Sequence, residues 1–333
     1  MTIEVLKPGL LTTPQDLGRI GYTHLGVGHA GAFDLPALRL ANALAGNPPG
    51  ACVLEITLLG PTLKFHADAW IALTGASIVA RTDEQAIPMW TPCFVRKNSV
   101  LALGAIRQGC RAYFAVHGGF DFEPVLGSRS LDVNAGFGPF GRPLRSGDML
   151  ETGSGSFFPA GPETSLLFAW NEPDPRWSID PRPWFDADQE HPLRLSPGTH
   201  AHLLDASSRE SLYAQSFRIA AESNRVGCRL EGEPLEFPEP VEIVSEACVA
   251  GTVQLPPSGQ PIALGVEHPV SGGYPRIGQI AAVDLPRLAQ RRPGDALRFA
   301  PCSLEEARLA LRDREQQLHE METLIANRLK QGA

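Results

Sequence analysis

The feature that most constrains this chain is its density of turn-forming residues, with 33 glycines and 30 prolines spread through 333 positions. They cut the apolar stretches into short runs, among them VLEITLLG at 53–60, AWIALTG at 69–75, SVLALG at 99–104 and RAYFAVHGG at 111–119. Runs of this length, rich in β-branched and aromatic residues and bounded by turn chemistry, predict strands. A mainly β, barrel-like or sandwich architecture is therefore expected over a doubly wound sheet. The length exceeds what one hydrophobic core usually serves, so two lobes are expected.

Three stretches repeat a small device: Arg96-Lys-Asn-Ser, Arg145-Ser-Gly-Asp and Arg292-Pro-Gly-Asp each stand before an apolar run. A polar turn that lifts the chain into a strand accounts for all three without a ligand. Helices are few and well signalled. Asp34 is placed to cap LPALRLANALAG, with proline in the first turn and Gly46 as a stop, and Asp284-Leu-Pro repeats that opening. The repeat suggests two related β halves. After Cys302, Ser303 and Glu306 form a capping box ahead of a long amphipathic helix over 303–333. Its one-sided apolar face calls for cover from the body of the protein or from another chain, including a second copy.

The halves are read as 1–158 and 193–302, with exchange of strands between them left open. Between them, 159–192 carries seven prolines and three tryptophans. That much proline excludes helix and central strand, and the tryptophans argue for an ordered connector lying on a surface.

A formal net charge of −8, with arginines scattered thinly, leaves no basic stripe to track phosphates, so nucleic acid is not expected as a partner. No uncharged apolar run reaches the roughly 18 residues of a membrane span, and the N-terminus has no signal pattern. A cytoplasmic location is the resulting expectation. The six cysteines are dispersed with no C-x-x-C and read as small buried apolar residues. His200 and His202 share one face of any strand through them but have no evident third ligand, so no metal site is expected. Neither a phosphate-binding G-x-x-x-x-G-K-[ST] loop nor a G-x-S-x-G nucleophile elbow occurs; Gly153-Ser-Gly-Ser falls in a turn.

Four stretches are richer in Gly, Arg, Asp and Ser than strands and turns require: 15–34, 127–138, 222–235 and VSGGYPRIGQI at 270–280. Arginine forks and bare amides in glycine-rich loops suit carboxylate or phosphate, although any one arginine is more simply a solvated or ion-paired loop residue. Glu55, among apolar neighbours, is either a buried paired carboxylate or a general base.

These stretches also carry a resemblance. IEVLKPGLLTTPQDLGRIGY at 3–22, HAGAFD with LRLAN after it, LEITLLGPTL at 54–63, VLGSRS at 125–130, NRVGCRLEG at 224–232, and GGYPRI with DLPRLAQ occur in family order. The chain resembles the biotin-dependent carboxyltransferase, or allophanate hydrolase subunit 2-like, family, which includes the C-type subunit of 5-oxoprolinase and the carboxyltransferase segment of urea carboxylase. The resemblance implies cyclophilin-like β-barrel lobes. It also implies an allophanate hydrolase subunit 1-like partner, the B-type subunit of 5-oxoprolinase, that completes the site. In the oxoprolinase reading a third protein, the A-type subunit of 5-oxoprolinase, joins them. That reading implies opening of the 5-oxoproline lactam, with ATP as co-substrate of the complex. Two other roles stay open: transfer of a carboxyl group from carboxybiotin to urea or a related amide, and non-catalytic regulation of a kinase-inhibitor-type partner.

Mapped onto this sequence, the resemblance points to Arg225, Tyr274 and Glu55 as catalytic candidates. Gly31, Asp34, Ser128, Arg129, Arg229, Gly272 and Gly273 are the substrate-binding candidates. The lysines are Lys7, Lys64, Lys97 and Lys330, none in a Met-Lys-Met setting, so biotin is not expected on this chain. The sequence departs from the family pattern at His268–Ser271, at Gly198-Thr199-His200, at Asn224 and at Cys228.

Overall fold

The computed structural model describes residues 1–83, 86–154, 177–186 and 191–331, with side chains described to residue 330. Most of the 159–192 connector lies outside these ranges. Its described part, 177–186, packs on the first lobe: Thr91 Oγ1 donates to the Trp177 carbonyl at 2.7 Å and the Ile179 amide to that of Trp90 at 3.0 Å.

The chain divides into two compact units, one of Met1–Gly18, Asp34–Ala187 and Gln317–Ala333, the other of Arg19–Phe33 and Asp188–Gln316. Both are mainly β. The first contains β1 (Thr2–Lys7), β2 (Leu11–Gln15), helix α1 (Leu35–Leu44), β3 (Val53–Thr57), β4 (Thr62–Phe65), β5 (Ala69–Arg81), β6 (Ala86–Ile87), β7 (Pro92–Val95), β8 (Val100–Val116) and β9 (Met149–Glu151). They form a nine-stranded sheet ordered β2-β3-β8-β4-β1-β9, with β5 pairing β8, β6 and β7. The long strands β5 and β8 run antiparallel with register shifts from Gly75 to Ala80, which curl the sheet. Gly75 is required there: its φ is +78°, and a Cβ would stand 2.6 Å from the Arg111 carbonyl oxygen.

The second unit contains β10 (Leu193–Pro197), α2 (Ala206–Ala214), β11 (Phe217–Ile219), β12 (Gly227–Glu231), β13 (Glu246–Ala247), β14 (Thr252–Gln254), β15 (Ile262–Leu264), β16 (Ser271–Gly272), β17 (Arg276–Ile280), α3 (Leu285–Ala289), β18 (Ala296–Leu297) and β19 (Phe299–Pro301). Its eight-stranded sheet is ordered β18-β11-β12-β15-β14-β17-β10-β19, and β13 pairs separately with β16. The core of this unit includes Leu195, Leu230, Val253, Ile277 and Phe299, together with Phe33 from the early segment. Helix α4 (Leu304–Gln331) closes the chain.

The local devices appear as turns and caps. In each of the three repeated stretches the fourth residue's amide donates to the first residue's carbonyl, at 3.1, 3.2 and 3.0 Å. The third position, Asn98, Gly147 or Gly294, has positive φ, as a type II turn requires. In two of them the aspartate reaches back as well, Asp148 to the Arg145 amide and Asp295 to that of Arg292, each at 2.7 Å. Asp34 caps α1 through the Ala37 amide at 3.1 Å, and Ser303 and Glu306 form the reciprocal box that opens α4.

Asp284 behaves differently from Asp34. Although it precedes the same Leu-Pro, its side chain caps nothing in α3. Its carboxylate instead takes the guanidinium of Arg194 at 2.8 and 2.7 Å and that of Arg287 at 3.0 Å. The shared tripeptide therefore marks two helix starts that are built differently.

Candidate functional site

Within the second unit, the GGYPRI loop lines a cleft of about 800 Å³. Gly273, Tyr274 and Pro275 form one wall, Leu255 to Gly259 another, and the irregular segment from Pro234 to Ile243 a third. The Leu255 amide donates to the Pro275 carbonyl at 2.9 Å and ties the loop to its neighbour. The Tyr274 side chain stays 45% exposed. Among the described residues the Gly273 and Tyr274 amides donate to nothing, so two backbone donors are available at the cleft. Gly272 brings the backbone close to a buried polar pair: a Cβ there would stand 2.5 Å from Gln254 Nε2 and 3.2 Å from Cys248 Sγ.

The other end of the loop is anchored by Arg276. Its guanidinium pairs with the Glu246 carboxylate and donates to the Ala247 carbonyl and to Thr199 Oγ1, the last two at 3.1 Å each. Its backbone amide donates to His200 Nδ1 at 3.1 Å, and the His200 amide returns a bond to the Arg276 carbonyl at 2.9 Å. Thr199 and His200 thus touch the candidate loop directly. Reading the sequence missed Arg276 and Glu246, because their ion pair joins residues 30 positions apart. The signal available was the arginine directly after Gly-Gly-Tyr-Pro.

The remaining candidates fall into three other clusters. In the first unit, Glu55 is buried on β3 beside its cross-strand neighbour Tyr113 on β8. Tyr113 donates its hydroxyl proton to Glu55 Oε2 at 2.7 Å and accepts the Asp34 amide at 2.8 Å, while Arg111 stands 3.5 Å from the same carboxylate. Burial, and then the nearby Glu55 and Asp34 carboxylates, push the Tyr113 phenol well up, so it stays a proton donor at neutral pH.

Also in the first unit, the buried Asp16 carboxylate gathers the VLGSRS loop. It accepts from Ser128 Oγ at 2.6 Å, Ser130 Oγ at 2.5 Å and the Arg129 amide at 2.5 Å. The Arg129 guanidinium turns to the Phe122 carbonyl at 2.7 Å and towards Asp121 at 3.5 Å.

In the second unit, Arg225 is buried and donates to Glu267 Oε1 at 2.5 Å and to the Gly31 carbonyl at 2.6 Å. It clamps the 19–33 segment beside its own loop. Arg229 is exposed on β12. The structure thus sets Gly273 and Tyr274 at the cleft, places Gly272 next to them against Gln254 and Cys248, and gives Arg225, Ser128, Asp34 and Glu55 internal partners. Among the described residues no cluster of His, Cys, Asp and Glu is placed to hold a metal.

This two-lobed, mainly β chain belongs to the carboxyltransferase family: the carboxyltransferase domain, subdomain A and B, matches residues 25–301. It is 35% identical to the C subunit of 5-oxoprolinase from Escherichia coli over 98% of this chain and 99% of that protein. It is 32% identical to the C subunit of 5-oxoprolinase from Haemophilus influenzae over 97% and 98%. The crystal structure of Kluyveromyces lactis urea carboxylase superposes on 95% of this chain with a TM-score of 0.81 at 28% identity, and the match spans 29% of that longer chain.

Proposed function

We propose that this chain is the C-type subunit of an ATP-dependent 5-oxoprolinase, acting with partner subunits to open a cyclic amide. The observation that carries the reading is the nearly end-to-end similarity to two 5-oxoprolinase C subunits, which this chain matches over 99% and 98% of their lengths. In this reading the exposed Gly273 and Tyr274 amides donate to the carbonyl oxygen of the lactam as negative charge develops there. Tyr274 orients the ring. Transfer of the terminal phosphoryl group of ATP to the amide oxygen on a partner subunit, with ADP leaving, would activate the carbonyl carbon. Water would add there, the ring C–N bond would break with the nitrogen taking a proton, and the acyl phosphate so formed would lose phosphate to a second water to give the amino acid.

The cleft also supports dependence on partners. 5-Oxoproline carries a carboxylate, and none of the described lining residues is Lys or Arg, whereas Glu236, Glu239 and Glu242 all line the cleft. A cation for the substrate carboxylate must come from elsewhere in the assembly. Arg225 and Glu55 act in this scheme by positioning, Arg225 through Gly31 and Glu55 through Tyr113.

The test is reconstitution with a subunit 1-like protein and the third subunit, followed by measurement of ATP-dependent conversion of 5-oxoproline to glutamate. Turnover that requires this chain is expected, and no turnover with all subunits present overturns the reading. The similarity to urea carboxylase favours a second reading, carboxyl transfer from carboxybiotin to urea or a related amide. Consumption of carboxybiotin that depends on such an amide would select it.

A further inference from the structure

The cleft is far larger than one small ring needs, and volumes of this size usually accept ligands many times the size of a single lactam. Its third wall is unusual. From Phe237 to Ser245 neither backbone nor side chain makes a hydrogen bond to any described residue. Backbone donors and acceptors left open along such an irregular stretch are available to pair with another chain.

The side chains along that wall say which chain. Glu236, Glu239 and Glu242 recur every third residue, with Pro238 and Pro240 between them, and all three are exposed. All three line the same cleft. Leu235, Phe237, Val241 and Ile243 supply apolar contacts in the same wall, and no described lining residue carries a positive charge. Such a groove repels nucleic acid and attracts a cationic ligand with apolar side chains between its charges.

We propose that the 236–245 wall is a docking groove for an extended segment of a partner chain in which Lys or Arg alternates with apolar residues. The inference rests on the proposed dependence on partner subunits. It places the incoming segment beside Tyr274, where its cations also meet the substrate carboxylate.

The experiment uses the full chain and a short fluorescein-labelled peptide of alternating Arg and Val, with a Glu-Val peptide as the charge-reversed control, read by fluorescence anisotropy. The Arg-Val peptide is expected to bind and the Glu-Val peptide not to. The exposed-site variant Glu236→Gln/Glu239→Gln/Glu242→Gln is expected to bind at least about tenfold more weakly, with the remaining affinity less sensitive to salt. Equal binding of the two peptides, or unchanged binding by the triple variant, overturns the proposal. Competition by arginine amide as effective as that by the peptide would make this a small-cation site and also overturns it. So does self-association of the chain that the triple variant abolishes, which would assign the groove to a second copy. Peptide binding is read without turnover, so failure of the 5-oxoprolinase assay and failure of this inference are separate results.

Discussion

Arg225 and Glu267 form a buried pair that also holds the Gly31 carbonyl. Replacing Arg225 with Ala takes the guanidinium partner away from the buried Glu267 carboxylate, and breaking such a pair costs about 3–5 kcal/mol. Urea unfolding is expected to show a loss of that size, and a stability within about 0.5 kcal/mol of the parent would contradict the positioning role. Tyr274 contrasts with it. Being half-exposed, Tyr274→Ala should leave the unfolding midpoint almost unchanged while lowering kcat/KM of the reconstituted complex at least about tenfold. A large drop in stability with normal kcat/KM would reverse that assignment. The thiols give a third check. All six cysteines are free and buried, and burial pushes Cys93 up to about 12 and Cys52 well above its ordinary range. At pH 8 the native chain is expected to react slowly with a disulfide reagent, and unfolding is expected to release fast reaction at every site. What the residues showed in sequence depended on range. Caps and turns close within a few positions and were legible, whereas Asp284 meeting Arg194, 90 positions away, and Arg225 meeting Gly31, 194 positions away, leave no local trace.

At the scale of elements, α4 has two characters. Leu318, Ile325 and Leu329 are buried, and Arg39 on α1 grips Glu322 through two bonds of 2.8 Å. Leu304 and Leu311, earlier on the same helical face, are exposed. The amphipathic pattern announced the helix, and the capping box announced its start, but periodicity alone does not say which turns of a face find cover. Leu318→Asp is expected to cost more than about 3 kcal/mol by burying a charge without a partner, and Leu311→Asp less than about 0.5 kcal/mol. Equal effects in thermal unfolding would mean that the two halves of the helix are covered alike. The Arg145–Asp148 turn has a pH signature. The Asp148 carboxylate is held below its ordinary range first by the Arg142 side chain, which donates to it at 2.9 and 2.7 Å, and further by the Arg145 amide. A depressed folded-state value means that this contribution is complete above the ordinary carboxylate range and is lost as pH falls through the folded value. Asp148→Asn should therefore destabilise the chain at neutral pH and make less difference in acid, as measured by melting across that range.

For the whole molecule, strand-and-turn economy indicated a mainly β protein, and part of the glycine-rich loop at 272–276 lines a cleft. The glutamate-bearing wall was harder to see. Its signal, an acidic residue every third position with prolines between, reads as ordinary polar loop until Tyr274 and Leu255 are placed across from it. Among the described residues no helix is long and apolar enough to cross a membrane. The division into units has a consequence for how the protein is made. The first unit needs residues 317 onward, and the second needs 19–33 from near the start of the chain. No single cut yields two intact halves. A ribosome that has released the first 190 residues holds a sheet still lacking the buried leucines and isoleucine of its final helix, so the unit begun first is finished last. Its assembly waits for synthesis of residues 317–331, and a nascent chain stalled before residue 317 should remain a client of chaperones although most of its strands already exist.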